Sequence, residues 1–346
     1  MERSERKQLV ISHLEEVVTD EELNELLDHD TPRVYIGYAP TGELHIGHYT
    51  TIRKLADFLH AGFDVTVLIA DLHAHLDDEK SPFDLLEARS DYYEVGVREM
   101  VRAAGADPQD ITFVRGTDFQ LDSPYTLELY RMVAETTISR AQRAGSEVVR
   151  QSENPKLGGL VYSVMQSLDV AALNADVAYG GIDQRGIYML AREILPEHGH
   201  SKPVCAFAPL LSGLGGGKMS ASDSDSTITI TDTPDAVSRK INGAYCPQGE
   251  VEDNGILEYL RYLVFPILDL DDAEFIVERP AEYGGTVMFA DYATLEAAFV
   301  AGDLHPADLK SATATHIAEL LEPIRAHFDA DPTLLTEAYP DEYGSS

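Results

Sequence analysis

Residues 34–48, VYIGYAPTGELHIGH, decide the fold class. Residues 34–38 form a short apolar β run that ends at the turn signal Pro-Thr-Gly, residues 40–42. Residues 46–59 then carry apolar side chains at helical spacing, and residues 65–70 are an apolar run typical of a buried parallel strand. Strand, helix and strand over this length predict a βαβ unit, whose crossover makes the two strands parallel.

The rest of the chain continues this alternation. Further strands are predicted at 111–114, 177–179 and 204–207, with long helical patterns between them. The predicted fold is therefore α/β, with a doubly wound, Rossmann-like parallel sheet followed by a mainly α-helical C-terminal domain. The predicted organisation is a helical lead-in at 1–32, a Rossmann-like domain at 33–212 with a helical insertion at about 80–165, a glycine-rich loop and linker at 213–232, and a helical domain at 233–346.

The chain is strongly acidic. Its 346 residues carry 60 Asp and Glu against 26 Lys and Arg, a formal net charge of −34, and the acidic residues are spread along the whole sequence. We expect a salt-rich cytoplasm, because the Debye length falls to about 3 Å at 1 M salt and self-repulsion is then screened. The alternative is an ordinary acidic protein. Net charge therefore does not decide whether a nucleic acid is a partner.

Other features of the composition exclude several classes of protein. Cys205 and Cys246 form no CxxC pair, which argues against a disulfide framework or a structural zinc site and suits a reducing compartment. No stretch approaches the roughly 20 continuous apolar residues of a membrane span. The N-terminal sequence MERSERKQLV lacks the apolar run of a signal peptide. We therefore expect a cytoplasmic protein.

Two histidines follow the first predicted strand. His45 and His48 stand at the start of the predicted helix, with Gly47 between them. Ligands bind at the carboxyl ends of strands in such sheets, and a helix N-terminus offers unpaired N–H groups that suit phosphate. The imidazoles are then placed to donate hydrogen bonds to charge that develops on a phosphorus, and Gly47 leaves room for a nucleotide. Histidines at this spacing are often incidental, but the order strand, glycine turn and helix favours a nucleotide site.

A glycine-rich loop carries the second element, Lys218-Met219-Ser220-Ala221-Ser222. A lysine beside small hydroxyl residues suits a pyrophosphate, and the glycines allow the loop to close over it. Alone, this pattern is more typical of a flexible surface loop. Together the two elements are a strong signal for a site that binds a nucleotide and its pyrophosphate. The family resemblance described next implies that the nucleotide is ATP and that its contacts are Gly47, His45, His48, Lys218, Met219, Ser220 and Ser222.

The two elements resemble the paired HIGH and KMSKS signatures of class I aminoacyl-tRNA synthetases, with Ala221 where a second lysine commonly stands. The stretches YIGYAPTGELHIGH, VYSVMQSLDV, YGGIDQR and LHPADLK resemble archaeal-type tyrosyl-tRNA synthetases over close to the full length. This resemblance implies that the Rossmann-like domain is catalytic and that the C-terminal domain recognises an anticodon. It also implies that L-tyrosine attacks the α-phosphorus of ATP, supplied with Mg²⁺, before transfer to tRNA(Tyr). His45, His48 and Lys218 would stabilise the transition state rather than exchange protons.

The resemblance further implies a tyrosine pocket. Tyr35 and Asp169 match positions at the phenol hydroxyl of the substrate, and His73 matches a position beside the pocket. The residues implied at the ammonium group are Tyr162, Gln166 and Gln184. Because Tyr162, Gln166 and Asp169 are spaced i, i+4 and i+7, they share one helix face. Spacing alone is also compatible with a face that is exposed to solvent. Phenylalanine in the pocket would leave a buried Asp unpaired, which explains selectivity for tyrosine over phenylalanine. The tyrosine enzymes are the standard example of this argument.

His73 and His75 stand close to Asp71, Asp77 and Asp78, a pattern that is also compatible with a metal site. No other histidine cluster completes such a site. We therefore expect no protein-bound metal, and only the Mg²⁺ that accompanies ATP.

Contacts with tRNA are implied by the resemblance alone. Arg143 and Arg185 match positions at the first base pair of the acceptor stem, and Gly186 replaces a lysine that relatives often carry. The positions that match anticodon readers are Tyr283, His305 and Asp308. Rings of this kind stack on unstacked bases, and a carboxylate accepts from the Watson–Crick edge of guanine. A homodimer is also implied, in which each tRNA contacts both subunits.

Three alternatives remain open. A tryptophanyl-tRNA synthetase shares the fold and both signatures, but the pair Tyr35 and Asp169 speaks against it. A small nucleotidyltransferase uses a similar histidine motif but needs neither the lysine loop nor the C-terminal domain. A catalytically silent, synthetase-like RNA-binding protein disagrees with the intact His45, His48 and Lys218.

Overall fold

The computed structural model describes residues 1–77, 80–148, 156–216 and 227–344. The strands are β1 (Glu16–Val18), β2 (Arg33–Tyr38), β3 (Asp64–Ile69), β4 (Ile111–Arg115), β5 (Val177–Gly181), β6 (Val204–Ala208), β7 (Phe275–Val277) and β8 (Val287–Phe289). The helices up to β6 are α1 (Arg3–Ile11), α2 (Asp20–Leu26), α3 (Ile46–His60), α4 (Asp71–Leu76), α5 (Leu86–Ala103), α6 (Ser123–Glu135), α7 (Ile138–Ala144), α8 (Leu157–Ala172) and α9 (Arg185–Glu197). The later helices are α10 (Pro234–Gly243), α11 (Gly255–Tyr259), α12 (Phe265–Leu268), α13 (Tyr292–Ala301), α14 (Pro306–Ala330), α15 (Thr333–Ala338) and α16 (Pro340–Tyr343).

The main sheet of the described chain has six strands in the order β1-β6-β5-β2-β3-β4. β2 pairs in parallel with β3 on one side and with β5 on the other. The pairs β3–β4 and β5–β6 are also parallel, while β1 lies antiparallel to β6 at the edge. The strand order therefore reverses at β2, and the carboxyl ends of β2 and β5 flank the point where doubly wound sheets bind ligands. This arrangement confirms the predicted fold class.

Three local predictions were incomplete. The lead-in at 1–32 is not wholly helical, because it contains β1. The segment at about 80–165, described as a helical insertion, contains β4 of the main sheet, at the position where a strand was predicted at 111–114. The C-terminal part at 233–346, predicted as helical, contains the antiparallel pair β7 and β8. β1, β7 and β8 have three residues each, too few for an alternating pattern to show in the sequence.

Alternation along β2 divides its side chains between the two faces of the sheet. Val34, Ile36 and Tyr38 pack into the core on the face that also holds α3. Tyr35 points to the opposite face and packs among side chains of α8 and α9, including Leu168. The register of β2 thus directs Tyr35 towards the helix that carries Asp169.

The C-terminal helices pack against the first half of the chain. α10 contacts α14, and both α14 and α15 contact α5. Local sequence explains where α10 starts, since the hydroxyl of Thr233 accepts from the N–H of Ala236 at 3.2 Å and Pro234 occupies the first turn.

Candidate active site

A cavity of about 370 Å³ opens at the carboxyl ends of β2 and β5. This volume falls in the range that small-molecule sites occupy. The predicted residues that line it are Tyr35, His45, Gly47, His48, His73, Tyr162, Gln166, Asp169 and Gln184. The fold therefore brings side chains as far apart in sequence as Tyr35 and Gln184 into one pocket.

The two signature histidines are each fixed by a backbone N–H at the start of α3. His45 precedes α3, and its Nδ1 accepts from the N–H of Gly47 at 3.2 Å. In turn, Nδ1 of His48 accepts from the N–H of His45 at 3.2 Å, and the ring centroids lie 4.0 Å apart. Because both Nδ1 atoms accept, each neutral ring carries its proton on Nε2. Two Nε2–H donors are thus available at the cavity.

Burial keeps these rings uncharged. It lowers the pKa of His45 to about 4 and holds the pKa of His48 well below its usual range, with electrostatic repulsion between the two imidazoles, were both protonated, as a second cause. Both imidazoles are therefore neutral near pH 7, and they act as hydrogen-bond donors rather than as cations.

The expectation of unpaired N–H groups at the start of α3 is wrong in part. The N–H of Ile46 donates to the carbonyl of Ile228 at 2.9 Å, and the N–H of Gly47 already donates to His45. The N–H of Ile46 is paired because residues 228–230 return beside residues 42–46, here called the signature turn, which the sequence does not reveal. The helix dipole and the imidazole donors remain for phosphate.

Lys218, Met219, Ser220, Ala221 and Ser222 lie outside the described residues. The chain is described again from Thr227, and it pairs with the signature turn: the N–H of Ile230 donates to the carbonyl of Leu44 at 3.1 Å. Residues 228–230 are thereby held beside His45, which forms a bridge with Thr229.

One face of α8 lines the other end of the cavity. Tyr162, Gln166 and Asp169 all reach it, at the predicted spacing of four and three residues. The side-chain amide of Gln166 donates to Oε1 of Gln184 at 3.1 Å, while Oε1 of Gln166 is buried without a partner in the described part of the chain. An acceptor in this state suits a ligand that brings N–H donors.

Asp169 is fully buried and only half satisfied. Its Oδ1 accepts from the hydroxyl of Tyr125 at 2.6 Å and from the amide of Gln120 at 2.8 Å. Its Oδ2 has no hydrogen-bond partner among the described residues; Nε2 of His73 lies 3.6 Å away. Burial raises the pKa of Asp169 to about 7, against the two hydrogen bonds, which lower it. The free oxygen is an acceptor prepared for a donor from the cavity.

His73 packs beside this acceptor. Its ring meets that of Tyr162 edge-on, with centroids 4.7 Å apart. Burial lowers the pKa of His73 to about 3, so the ring is neutral. His73 therefore contributes an uncharged aromatic ring to the lining of the cavity.

Four residues near the ligand end were missed by sequence reasoning. Gln120 and Tyr125 hold Asp169, and Asp77 and Asp183 line the cavity. Gln120 and Tyr125 lie more than 40 positions from Asp169, so no local pattern connects them. Asp77 belongs to the acidic and histidine stretch that suggested a metal, and its Oδ2 pairs with Lys80 at 2.5 Å.

The two predicted acceptor-stem arginines lie on neighbouring helices. Arg143 is exposed near the end of α7, and Arg185 begins α9. Arg185 forms an ion pair with Glu16 of β1 through Nη2 at 2.9 Å, and this contact lowers the pKa of Glu16. Gly186 allows the two helices to meet, since a Cβ there would lie 2.4 Å from the carbonyl oxygen of Ala144. A side chain at 186 would therefore push apart the helices that carry both arginines.

The predicted anticodon residues lie on the C-terminal part. Tyr283 is 66% exposed, and His305 caps α14 by accepting from the N–H of Ala307 at 3.1 Å, one turn before Asp308. Arg279 links their loops, because it donates to the carbonyl of Gly285 at 2.8 Å and to that of Asp303 at 3.1 Å. Sequence reasoning did not single out Arg279.

The described residues contain neither a metal-binding cluster nor a membrane-spanning helix. No group of three or more His, Cys, Asp or Glu is arranged to hold a metal within residues 1–77, 80–148, 156–216 and 227–344. Over the same residues, no helix has the length and apolar character to cross a membrane.

Comparison with known proteins identifies the family of the chain. Residues 27–322 match the family of class I tRNA synthetases for tryptophan and tyrosine. A tyrosine–tRNA ligase of Haloarcula marismortui is 65% identical over 345 residues, with 100% of both chains covered. That of Natronomonas pharaonis is 65% identical over 344 residues, covering 99% of this chain and 100% of its own. The crystal structure of the Archaeoglobus fulgidus tyrosyl-tRNA synthetase complexed with L-tyrosine has a TM-score of 0.88 at 43% identity, covering 94% of this chain and 99% of that one.

The chain belongs to the class I aminoacyl-tRNA synthetases for tryptophan and tyrosine, and among them to the archaeal-type tyrosyl-tRNA synthetases. The resemblance inferred from the sequence is thus confirmed, and the family is favoured over the three alternatives. Similarity to the Haloarcula and Natronomonas chains is consistent with a halophile origin.

Proposed function

We propose that the protein joins L-tyrosine to tRNA(Tyr) in two steps, with ATP and its Mg²⁺ as the activating substrate. The observation that carries this proposal is the free Oδ2 of Asp169, buried at the end of a cavity whose other end holds two imidazole donors. Tyrosine supplies a hydroxyl that donates to this oxygen and a carboxylate that reacts near the imidazoles. Family membership agrees with this assignment.

At the tyrosine end, the phenol hydroxyl donates to Oδ2 of Asp169, with Tyr35 beside it. The ammonium group donates to Oε1 of Gln166, held in place by Gln184, and to the hydroxyl of Tyr162. Phenylalanine would leave the Asp169 acceptor unpaired, which costs binding free energy because the group is already buried.

At the ATP end, His45 and His48 donate through Nε2–H to the phosphate oxygens on which charge develops as the tyrosine carboxylate attacks the α-phosphorus. Pyrophosphate leaves, and Lys218 is proposed to neutralise it. The remaining proposed ATP contacts are Gly47, Met219, Ser220 and Ser222. Neutral imidazoles suit this role, since they stabilise charge without needing to release a proton.

For tRNA, we propose that Arg143 and Arg185 contact the acceptor stem and that Tyr283, His305 and Asp308 read the anticodon. Arg185 must then exchange Glu16 for a phosphate or base, since both compete for one guanidinium. This division assigns residues 33–212 to catalysis, 213–232 to the loop and linker, and 233–346 to anticodon recognition. The proposed location is the cytoplasm.

We also propose a homodimer, formed through an exposed apolar face of α6. Leu127, Tyr130 and Val133 follow one another every three residues and are 54%, 66% and 36% exposed. A contiguous apolar stripe of this kind marks an interface, and a second copy of the chain is the occupant that the family implies. Tyr130→Glu should halve the mass measured by light scattering in concentrated KCl, whereas an unchanged mass would overturn this interface.

ATP–pyrophosphate exchange in concentrated KCl tests the function, with tyrosine, phenylalanine and tryptophan supplied separately. We expect exchange with tyrosine alone, and loss of that selectivity in Asp169→Ala. The exposed Asp84→Ala serves as the matched control and should behave like the wild type. Exchange with tryptophan, or none at any salt concentration, would overturn the proposal.

Arg143→Ala tests the tRNA contacts separately. It should weaken tRNA aminoacylation but spare ATP–pyrophosphate exchange, which needs no tRNA.

A further inference from the structure

The last described residues of the chain fold back onto the signature turn. The match to the family ends at residue 322, whereas α14 continues to Ala330 and is followed by α15 and α16. We call residues 333–343 the C-terminal segment. It reaches the turn between β2 and α3, which leads directly into His45.

The C-terminal segment is packed firmly against α5. Ala338 and Tyr339 are buried, and Nε of Arg89 donates to the carbonyl of Ala338 at 3.1 Å. The guanidinium of Arg89 also lies 4.9 Å from the ring centroid of Tyr339, and the ring of Tyr92 meets that of Tyr339 edge-on at 5.3 Å. These contacts fix the direction of the Tyr339 hydroxyl.

Two tyrosine hydroxyls converge on one backbone carbonyl. Tyr339 donates to the oxygen of Gly42 at 2.6 Å, and Tyr93 of α5 donates to the same oxygen at 2.7 Å. Both lone pairs of that carbonyl are therefore used. One residue further on, the hydroxyl of Tyr343 donates to Oε2 of Glu43 at 2.8 Å.

The next residues of the turn are held as well. The N–H of Leu44 donates to the hydroxyl of Tyr92 at 3.1 Å, and its carbonyl accepts from the N–H of Ile230. His45 follows immediately and carries an imidazole of the ATP site. Residues 42–46 are thus clamped between α5, the C-terminal segment and the strand-like chain at 228–230.

From this arrangement we propose that the C-terminal segment positions the signature turn for ATP, with Tyr339 and Tyr343 as positioning residues. They contact Gly42 and Glu43 and act on ATP through His45. The inference rests on the proposed function, because ATP is taken as the ligand of the histidines. The tyrosine pocket on α8 lies outside these contacts, so the effect is specific to one substrate.

The test compares steady-state constants for ATP–pyrophosphate exchange in the full-length protein. In the double variant Tyr339→Phe and Tyr343→Phe we expect KM for ATP to rise about two- to tenfold, the effect of losing a hydrogen bond or two. KM for tyrosine should not change. Tyr259→Phe is the matched control, since its buried hydroxyl has no partner in the described chain, and it should leave both constants unchanged.

Tyr343→Phe alone keeps the test valid if the double variant does not fold, because Tyr343 is 37% exposed. We expect it to change KM for ATP in the same direction and by less. An unchanged KM for ATP in variants that melt like the wild type would overturn the proposal, and so would an equal rise in both KM values. Absence of tyrosine-dependent exchange in the wild type would instead refute the proposed function.

Discussion

At the scale of single residues, Asp169 is a buried carboxyl with one oxygen available to an uncharged hydroxyl donor. One oxygen is saturated by Tyr125 and Gln120, and the other is left open. The pKa of Asp169 is raised from 3.8 to about 7, so the folded protein loses stability as the pH rises from about 3.8 to about 7 and the unfolded state releases this proton first. A tyrosine hydroxyl would offset part of this loss on binding.

Tyr125→Phe tests this account. Its hydroxyl lowers the pKa of Asp169, so its loss should raise that pKa above about 7. The ionised carboxylate is the stronger acceptor for a phenol, and KM for tyrosine should therefore rise as the pH falls through the pKa. In the variant this rise should begin at a higher pH, while KM for ATP keeps its wild-type profile. Identical pH profiles of KM for tyrosine in both proteins would contradict the account.

At the scale of elements, the contact between α7 and α9 depends on Gly186. Gly186→Ala places a Cβ against the Ala144 carbonyl, and backbone cannot move aside as a side-chain tip can. We expect a loss of about 1–3 kcal/mol in the free energy of unfolding and weaker tRNA aminoacylation. Gly243→Ala, at a helical glycine with open space around its Cβ, is the control and should be neutral or slightly stabilising. Equal free energies of unfolding for the two variants, measured by urea denaturation in concentrated KCl, would refute this role of Gly186.

Elements with a local pattern were predicted well, and those formed by distant partners were not. β2, α3 and β3 have the apolar spacing of their structures, and helical periodicity places Tyr162, Gln166 and Asp169 on one face of α8, which the fold turns towards the cavity. β1 exists because Glu16–Val18 pairs with β6, almost 190 positions away in sequence. In the same way, the partners of Asp169 and of the Ile46 N–H come from segments that only the folded chain brings near.

At the scale of the whole molecule, the net charge of −34 sets the conditions for folding. Transfer from about 1 M to about 0.1 M KCl lengthens the Debye length from about 3 Å to about 10 Å, so repulsion between carboxylates spreads further. We expect the melting temperature near pH 7 to fall on this transfer. Near the isoelectric point, pH ≈ 4.5, the dependence on KCl should become shallow because the net charge vanishes. A melting temperature that is independent of KCl near pH 7 would contradict the halophilic interpretation.

The placement of Tyr162, Gln166 and Asp169 on one helix has a geometric consequence. An α-helix rises 1.5 Å per residue, so the Cα atoms of the two outer residues are separated by about 10 Å along the axis of α8. That separation is set by the regular geometry of the helix and does not change with the ligand. In the proposed site, α8 therefore fixes the distance between the two binding groups, and an amino acid whose amine and distal hydroxyl are too close together or too far apart would reach only one of them.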